Sequence, residues 1–121
     1  MSNPTFTILL CVTRPPFFIA YAIESVLAQD RTDFELFVVC DGAPPETLQV
    51  AERFAHNDPR VRVFAFEKGE RRGEAHRDTV LQQANGRLIC HIADDDLWFP
   101  EHLSEIALLL QEFEFGNLLH S

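Results

Sequence analysis

The segment Ala93-Asp94-Asp95-Asp96-Leu97-Trp98 sets three consecutive carboxylates between apolar residues. Adjacent carboxylates repel one another, and each strongly favours its charged, hydrated form. The apolar run before them, Leu88 to Ala93, has the length of a buried strand, so the triplet is delivered at a strand end. A fold gains nothing from such a cluster there unless a cation neutralises it. Hard carboxylate oxygens suit Mg²⁺ or Mn²⁺, and Mg²⁺ usually takes one or two protein carboxylates plus phosphate oxygens of a substrate. The alternative is a solvated acidic turn that caps the next helix, and the triplet by itself leaves both open. Asp96 fits the second use better, as a residue at a helix N-terminus.

The elements that must position this cluster follow from apolar periodicity. Phe6 to Val12, Phe34 to Cys40, Val61 to Phe66 and Arg87 to Ala93 are predicted strands. Helices are predicted from the Pro15-Pro16 break to Gln29, over Glu46 to His56, over Glu74 to Ala84, and from Pro100 to about Phe115. Alternating strands and amphipathic helices imply right-handed βαβ units, hence an α/β three-layer sandwich with a parallel sheet and helices on both faces. The expected strand order is three-two-one-four. Ligands in such sheets bind beyond the carboxyl ends of the strands. Those ends carry Thr13-Arg14, Asp41-Gly42 and Asp94-Asp95-Asp96. Lys68, Arg71 and Arg72 lie in the loop after the third strand, and Arg77 on the first turns of the next helix. Carboxylates for a metal and cations for phosphates are thus expected on one edge.

The chain has 121 residues, enough for one domain, 1–121, with one core. Its formal net charge of -9 argues against nucleic acid or an anionic membrane as the main partner. Cys11, Cys40 and Cys90 all fall in predicted strands with neither zinc nor disulfide spacing, so buried reduced thiols and a cytoplasmic location are expected. The N-terminus shows no basic stretch followed by an apolar run, so no signal peptide is expected. His76 and His91 stand alone, without a second His at metal spacing, and are expected to be structural.

Five ordered segments resemble the nucleotide-binding half of family-two glycosyltransferases, which have the GT-A fold. Ala22 to Gln29 is similar to the family's first helix, which commonly ends in SVLxQ. Phe34 to Gly42 resembles its second strand with the Asp that meets the base. Asp58 to Val63 resembles the third-strand entry, and Gly73 to Arg77 the approach to an ARN motif. Ala93 to Pro100 resembles the DxD region. The resemblance implies that Asp41 hydrogen-bonds the nucleobase, with Thr13 beside it, and that Arg77 lies near the base or phosphates. It further implies Asp94 near the ribose and Asp95 on a Mg²⁺ or Mn²⁺ that bridges the diphosphate. The implied ligand is a nucleotide-diphospho-sugar, most simply a UDP-sugar.

The chain departs from the family at Thr13-Arg14, where Tyr-Asn or a similar pair is usual, and at Asp78, where Asn is usual. Full enzymes continue through strands that bind the acceptor and supply a catalytic base, so this chain is expected to lack that half, and no residue is assigned as the base. A non-catalytic nucleotide-binding or regulatory module is therefore the second expectation. A two-component receiver is excluded, because it needs acids after the first strand and an Asp after the third. Self-association, as a homodimer, is expected through the fourth strand's free edge or the last helix, with Leu108, Leu109, Leu110 and Phe113.

Overall fold

The computed structural model describes residues 3–67 and 74–120. Lys68, Arg71, Arg72 and Gly73, expected near the ligand, lie outside the described residues. Strands and helices alternate: β1 (Phe6–Val12), α1 (Ile19–Leu27), β2 (Phe34–Asp41), α2 (Pro45–Asn57), β3 (Val61–Phe66), α3 (Glu74–Leu81), β4 (Leu88–Ala93) and α4 (His102–His120). The strands form a parallel sheet in the order β3-β2-β1-β4. This is the expected order.

The two faces of the sheet are filled unequally. Phe6, Ile8, Leu10 and Val12 of β1 alternate onto one face with Leu36 and Val38 of β2. Ile19, Ala22, Ile23 and Val26 of α1, Ala51 of α2 and Leu103 of α4 cover them. On the other face Leu9, Phe37 and Val39 pack against Val80 of α3. The central strands are buried on both faces, as a parallel sheet requires. Strand β4 differs from the expected buried strand: its Ile89, His91 and Ala93 face solvent. It is an edge strand paired only with β1, and α3 packs against β2 instead.

Helix boundaries move where carbonyls are used elsewhere. Helix α1 begins at Ile19, after a turn in which the Phe17 N–H donates to the Pro15 carbonyl. Helix α3 ends at Leu81, because Gln83 and Ala84 bond three residues back rather than four. Helix α4 begins at His102, not Pro100. The Pro100 carbonyl accepts the Asp30 N–H, and the Phe99 carbonyl accepts from Gln29.

Gln29 explains much of the SVLxQ resemblance. It is buried, its Nε2 donates to the carbonyls of Ser25 and Phe99, and its Oε1 accepts the Leu103 N–H. Ser25 Oγ accepts the Trp98 N–H and donates to the Ala22 carbonyl. Helix α1 thereby clasps the segment that follows the acidic triplet. Ser and Gln stand at this spacing because they satisfy backbone groups that α4's start would leave unpaired.

The amino-terminal end of the sheet is closed by a second network. Thr7 Oγ1 donates to Glu35 Oε2 at 2.6 Å, and the Asn85 N–H reaches the same oxygen at 2.6 Å. Gly86 donates to Thr7 Oγ1 at 2.9 Å. A Cβ on Gly86 would stand 2.4 Å from the Thr7 nitrogen, so only glycine lets β4 enter beside β1.

Candidate functional site

At the carboxyl end of β1 the main chain of Arg14 is fixed by buried Thr47, whose hydroxyl donates to the Arg14 carbonyl at 2.7 Å. The guanidinium forks onto Asp94 from the end of β4. Nε–H donates to Oδ2 at 3.2 Å, and Nη2–H to Oδ1 at 2.9 Å. The same Nη2 lies 3.5 Å from Asp95 Oδ2. Asp94 is nearly buried, with 10% of its side chain exposed, whereas Arg14 and Asp95 are each half exposed. The Asp94 hydrogen bond, backed by its charge, raises the Arg14 pKa above its ordinary value. The cation that the triplet requires is thus supplied in part by the chain itself.

Asp96 turns away from this pair. Its Oδ2 accepts the Ala93 N–H at 3.1 Å, and its own N–H donates to the Ala93 carbonyl. It caps a turn before α4, rather than standing at the helix N-terminus expected of it.

A second corner forms where β2, β3 and α3 meet. Asp41 closes β2 and is buried. Gly42 then adopts φ 67°, a left-handed conformation that suits glycine, and donates to the Phe66 carbonyl at 2.8 Å. His76 stacks on Phe66 with centroids 4.3 Å apart. Its Nε2–H donates to the Glu67 carbonyl at 2.8 Å and lies 3.7 Å from Asp41 Oδ1. Arg77, half-buried, follows on α3. Its charge lowers the pKa of the Cys11 thiol while Asp41 raises it, so Arg77 and Asp41 both act on the end of β1. Burial is the larger influence and raises Cys11 overall. Exposed Thr13 lies just past β1, the strand between β2 and β4.

The site residues expected from sequence therefore gather on one edge in two corners. Asp41 and Arg77 belong to one, Asp94 and Asp95 to the other, and Thr13 lies between by topology. Sequence reasoning missed two participants. Arg14 was noticed at the end of the first strand and as a departure from the family pair, but it was not paired with the triplet, although the triplet's need for a cation was the available signal. His76 was set aside as a lone histidine, although it adjoins Arg77.

The thiols offer no nucleophile. Burial, with Glu52 adding, pushes Cys40 up to about 11, and burial also raises Cys90. Cys40 is buried as expected, whereas Cys11 and Cys90 are only partly so. Among the described residues no group of three or more His, Cys, Asp or Glu side chains is arranged to hold a metal. A depression of about 510 Å³ lies at the opposite end of the sheet, among Asn3, Pro4, Asp33, Glu35 and Arg60. Its charges are engaged by Arg31, Thr7 and Asp58, so it offers no chemistry.

Residues 8–119 match the family described as Glycosyl transferase family 2. The chain belongs to this family. The putative glycosyltransferase EpsE of Bacillus subtilis is 28% identical over 112 residues, 92% of this chain and 40% of its own length. The crystal structure of TarS 1–349 from Staphylococcus aureus superposes with a TM-score of 0.78 at 26% identity, over 89% of this chain and 32% of that one. The mannosyltransferase PcManGT of Pyrobaculum calidifontis, solved with GDP-Man and Mn²⁺, has a TM-score of 0.68 at 26% identity, covering 84% of this chain and 31% of its own. This family-two chain thus spans 40% or less of each of these relatives. Among its described residues no helix is long and apolar enough to cross a membrane.

Proposed function

We propose that this glycosyltransferase family 2 chain binds a nucleotide-diphospho-sugar, a UDP-sugar most simply, at the carboxyl edge of its sheet. The observation that carries this is the convergence of Asp41, Asp94 and Asp95 from the ends of two strands and Arg77 from one helix onto one edge. Solved relatives support the ligand class: TarS has been crystallised with UDP and with UDP-GlcNAc.

Each residue has a role its chemistry permits. The Asp41 carboxylate accepts from an imide N–H of the base, beside Thr13. Arg77 adds positive charge where an anionic ligand enters. Asp94 accepts from a ribose hydroxyl. The exposed Asp95 carboxylate, with Asp94, is a hard-oxygen donor set that fits Mg²⁺ or Mn²⁺ once phosphate oxygens complete the shell. Such an ion offsets charge on a departing diphosphate. Sugar transfer itself requires an acceptor site and a base that no described residue is assigned to supply. The chain alone is proposed to bind rather than to turn over, and a completing partner or segment would supply the rest.

Titration calorimetry with UDP, GDP and CDP, each with and without Mn²⁺, tests the proposal. Binding of UDP that tightens with Mn²⁺ is expected, and absence of binding by all three would overturn it. The same proposal has the chain self-associate through the β4 edge or the exposed Leu108, Leu109 and Phe113 of α4. A single monomeric species in sedimentation at high concentration would contradict that part.

A further inference from the structure

We infer that Arg14 is a built-in counter-ion that blocks the Asp94–Asp95 pair against a divalent cation until a diphosphate draws the guanidinium away. The inference rests on the nucleotide-binding proposal for its second half only.

Three observations carry it. First, the guanidinium uses both oxygens of Asp94 and approaches Asp95 with the same nitrogen. A metal ion needs lone pairs on those same oxygens, so the guanidinium and the metal compete for them, and two positive charges at that spacing repel. Second, the competition is built in. The carbonyl of Arg14 is held by a buried hydroxyl of α2, while its side chain is half exposed. The anchor is fixed, and the head is open to solvent on the side from which a ligand would arrive. Third, the third carboxylate offers no escape, because Asp96 is occupied with the Ala93 N–H. A bare ion therefore meets one half-exposed carboxylate, Asp95, already beside a cation.

A diphosphate changes the balance. Arginine matches phosphate oxygens in the same bidentate way as carboxylate oxygens. A diphosphate arriving at this edge offers the guanidinium an alternative partner and releases Asp94 and Asp95 together. Nucleotide and metal then bind in that order, and each strengthens the other, as linkage requires.

The experiment measures Mn²⁺ affinity by the loss of the free-ion spectroscopic signal, for wild type, Arg14→Gln and Arg14→Lys, first with Mn²⁺ alone and then with saturating UDP. Thermal melting verifies that each variant is folded. With Mn²⁺ alone, Arg14→Gln is expected to bind about tenfold more tightly than wild type, because a nearby like charge has gone. Arg14→Lys keeps the charge and is expected to stay within about threefold of wild type. UDP is expected to tighten Mn²⁺ much less in Arg14→Gln than in wild type. Equal Mn²⁺ affinity of wild type and Arg14→Gln without nucleotide would overturn the inference. So would an Arg14→Lys gain matching that of Arg14→Gln. If UDP binds none of the three proteins while Arg14→Gln still gains Mn²⁺, the counter-ion role stands. The hand-over to UDP then falls, and with it the UDP form of the proposed function.

Discussion

The two ends of one sheet hold their carboxylates in different ways. At the amino end, Glu35 is closed in by Thr7 and Asn85 at 2.6 Å each. Asp33 pairs with Arg31 at 2.6 Å and Asp58 with Arg60 at 2.8 Å, both only two residues away in sequence. At the carboxyl end the partners come from distant segments and only one contact is short: Arg14 forks onto Asp94 at 2.9 Å but lies 3.5 Å from Asp95, and His76 lies 3.7 Å from Asp41. Half of the Arg14 and Asp95 side chains is exposed. Short, mutually satisfied bonds stabilise a fold and leave a ligand nothing to replace. Long contacts between exposed charges contribute little to stability, so a ligand can displace them cheaply. The difference supports our proposal that one end is scaffold and the other the ligand site.

The largest way to break the comparison is at the scaffold end. Gly86→Val drives a side chain into the Thr7 and Phe6 backbone, which cannot yield like a flexible side chain. A loss of about 3 kcal/mol or more in urea unfolding is expected. The clasp comes next. Gln29→Leu strands the Leu103 N–H and removes the side-chain donor from the Ser25 carbonyl and one of two donors from the Phe99 carbonyl, for a loss of about 2 kcal/mol by the same assay. Because that clasp places the segment after Asp96, nucleotide affinity should fall with it. A Gln29→Leu protein with unchanged melting would show that the clasp is incidental.

At the site end the sign reverses: function moves and stability does not. Asp41→Asn should weaken UDP binding about tenfold, or about 1.4 kcal/mol, while thermal melting shows the protein still folded. Asp95→Asn should remove the Mn²⁺ enhancement of UDP binding in calorimetry and leave the fold intact. The smallest effect is acid sensitivity of the scaffold pairs. Arg31 holds the Asp33 carboxyl, and Arg60 the Asp58 carboxyl, below the usual carboxylate range. Their stabilisation is complete above the unfolded carboxylate value near ~4 and is lost as pH falls through the lower folded values. Thermal melts from pH 7 to pH 2 should decline only below that point, and Arg60→Gln should flatten the part due to Asp58.

The sheet and its order were legible because they follow from apolar periodicity and crossover handedness alone. β1 and β3 fall where their residues predict them, and α2 begins within a residue of its expected start at Pro45. The placement of Asp41 and Asp95 on the sheet's carboxyl edge was legible because each follows an apolar run that forms a strand. Arg14 was not, because its partner lies 80 residues away, and periodicity carries no information about which distant ends meet. The start of α4 was missed for the same reason: the Phe99 and Pro100 carbonyls are claimed by α1, far earlier in the chain. Half-exposure of β4 was hidden because an apolar edge strand has the same composition as a central one.

Amide chemical-shift mapping on UDP and Mn²⁺ addition tests the central claim most directly, since it reports both ends of the sheet in one titration. Shifts are expected at Thr13, Arg14, Asp41, Gly42, His76, Arg77, Asp94 and Asp95, with Asp33, Glu35, Asn85 and Gly86 unmoved. Shifts concentrated at the amino end, around Asp33, Glu35 and Arg60, or no shifts at all, would contradict it.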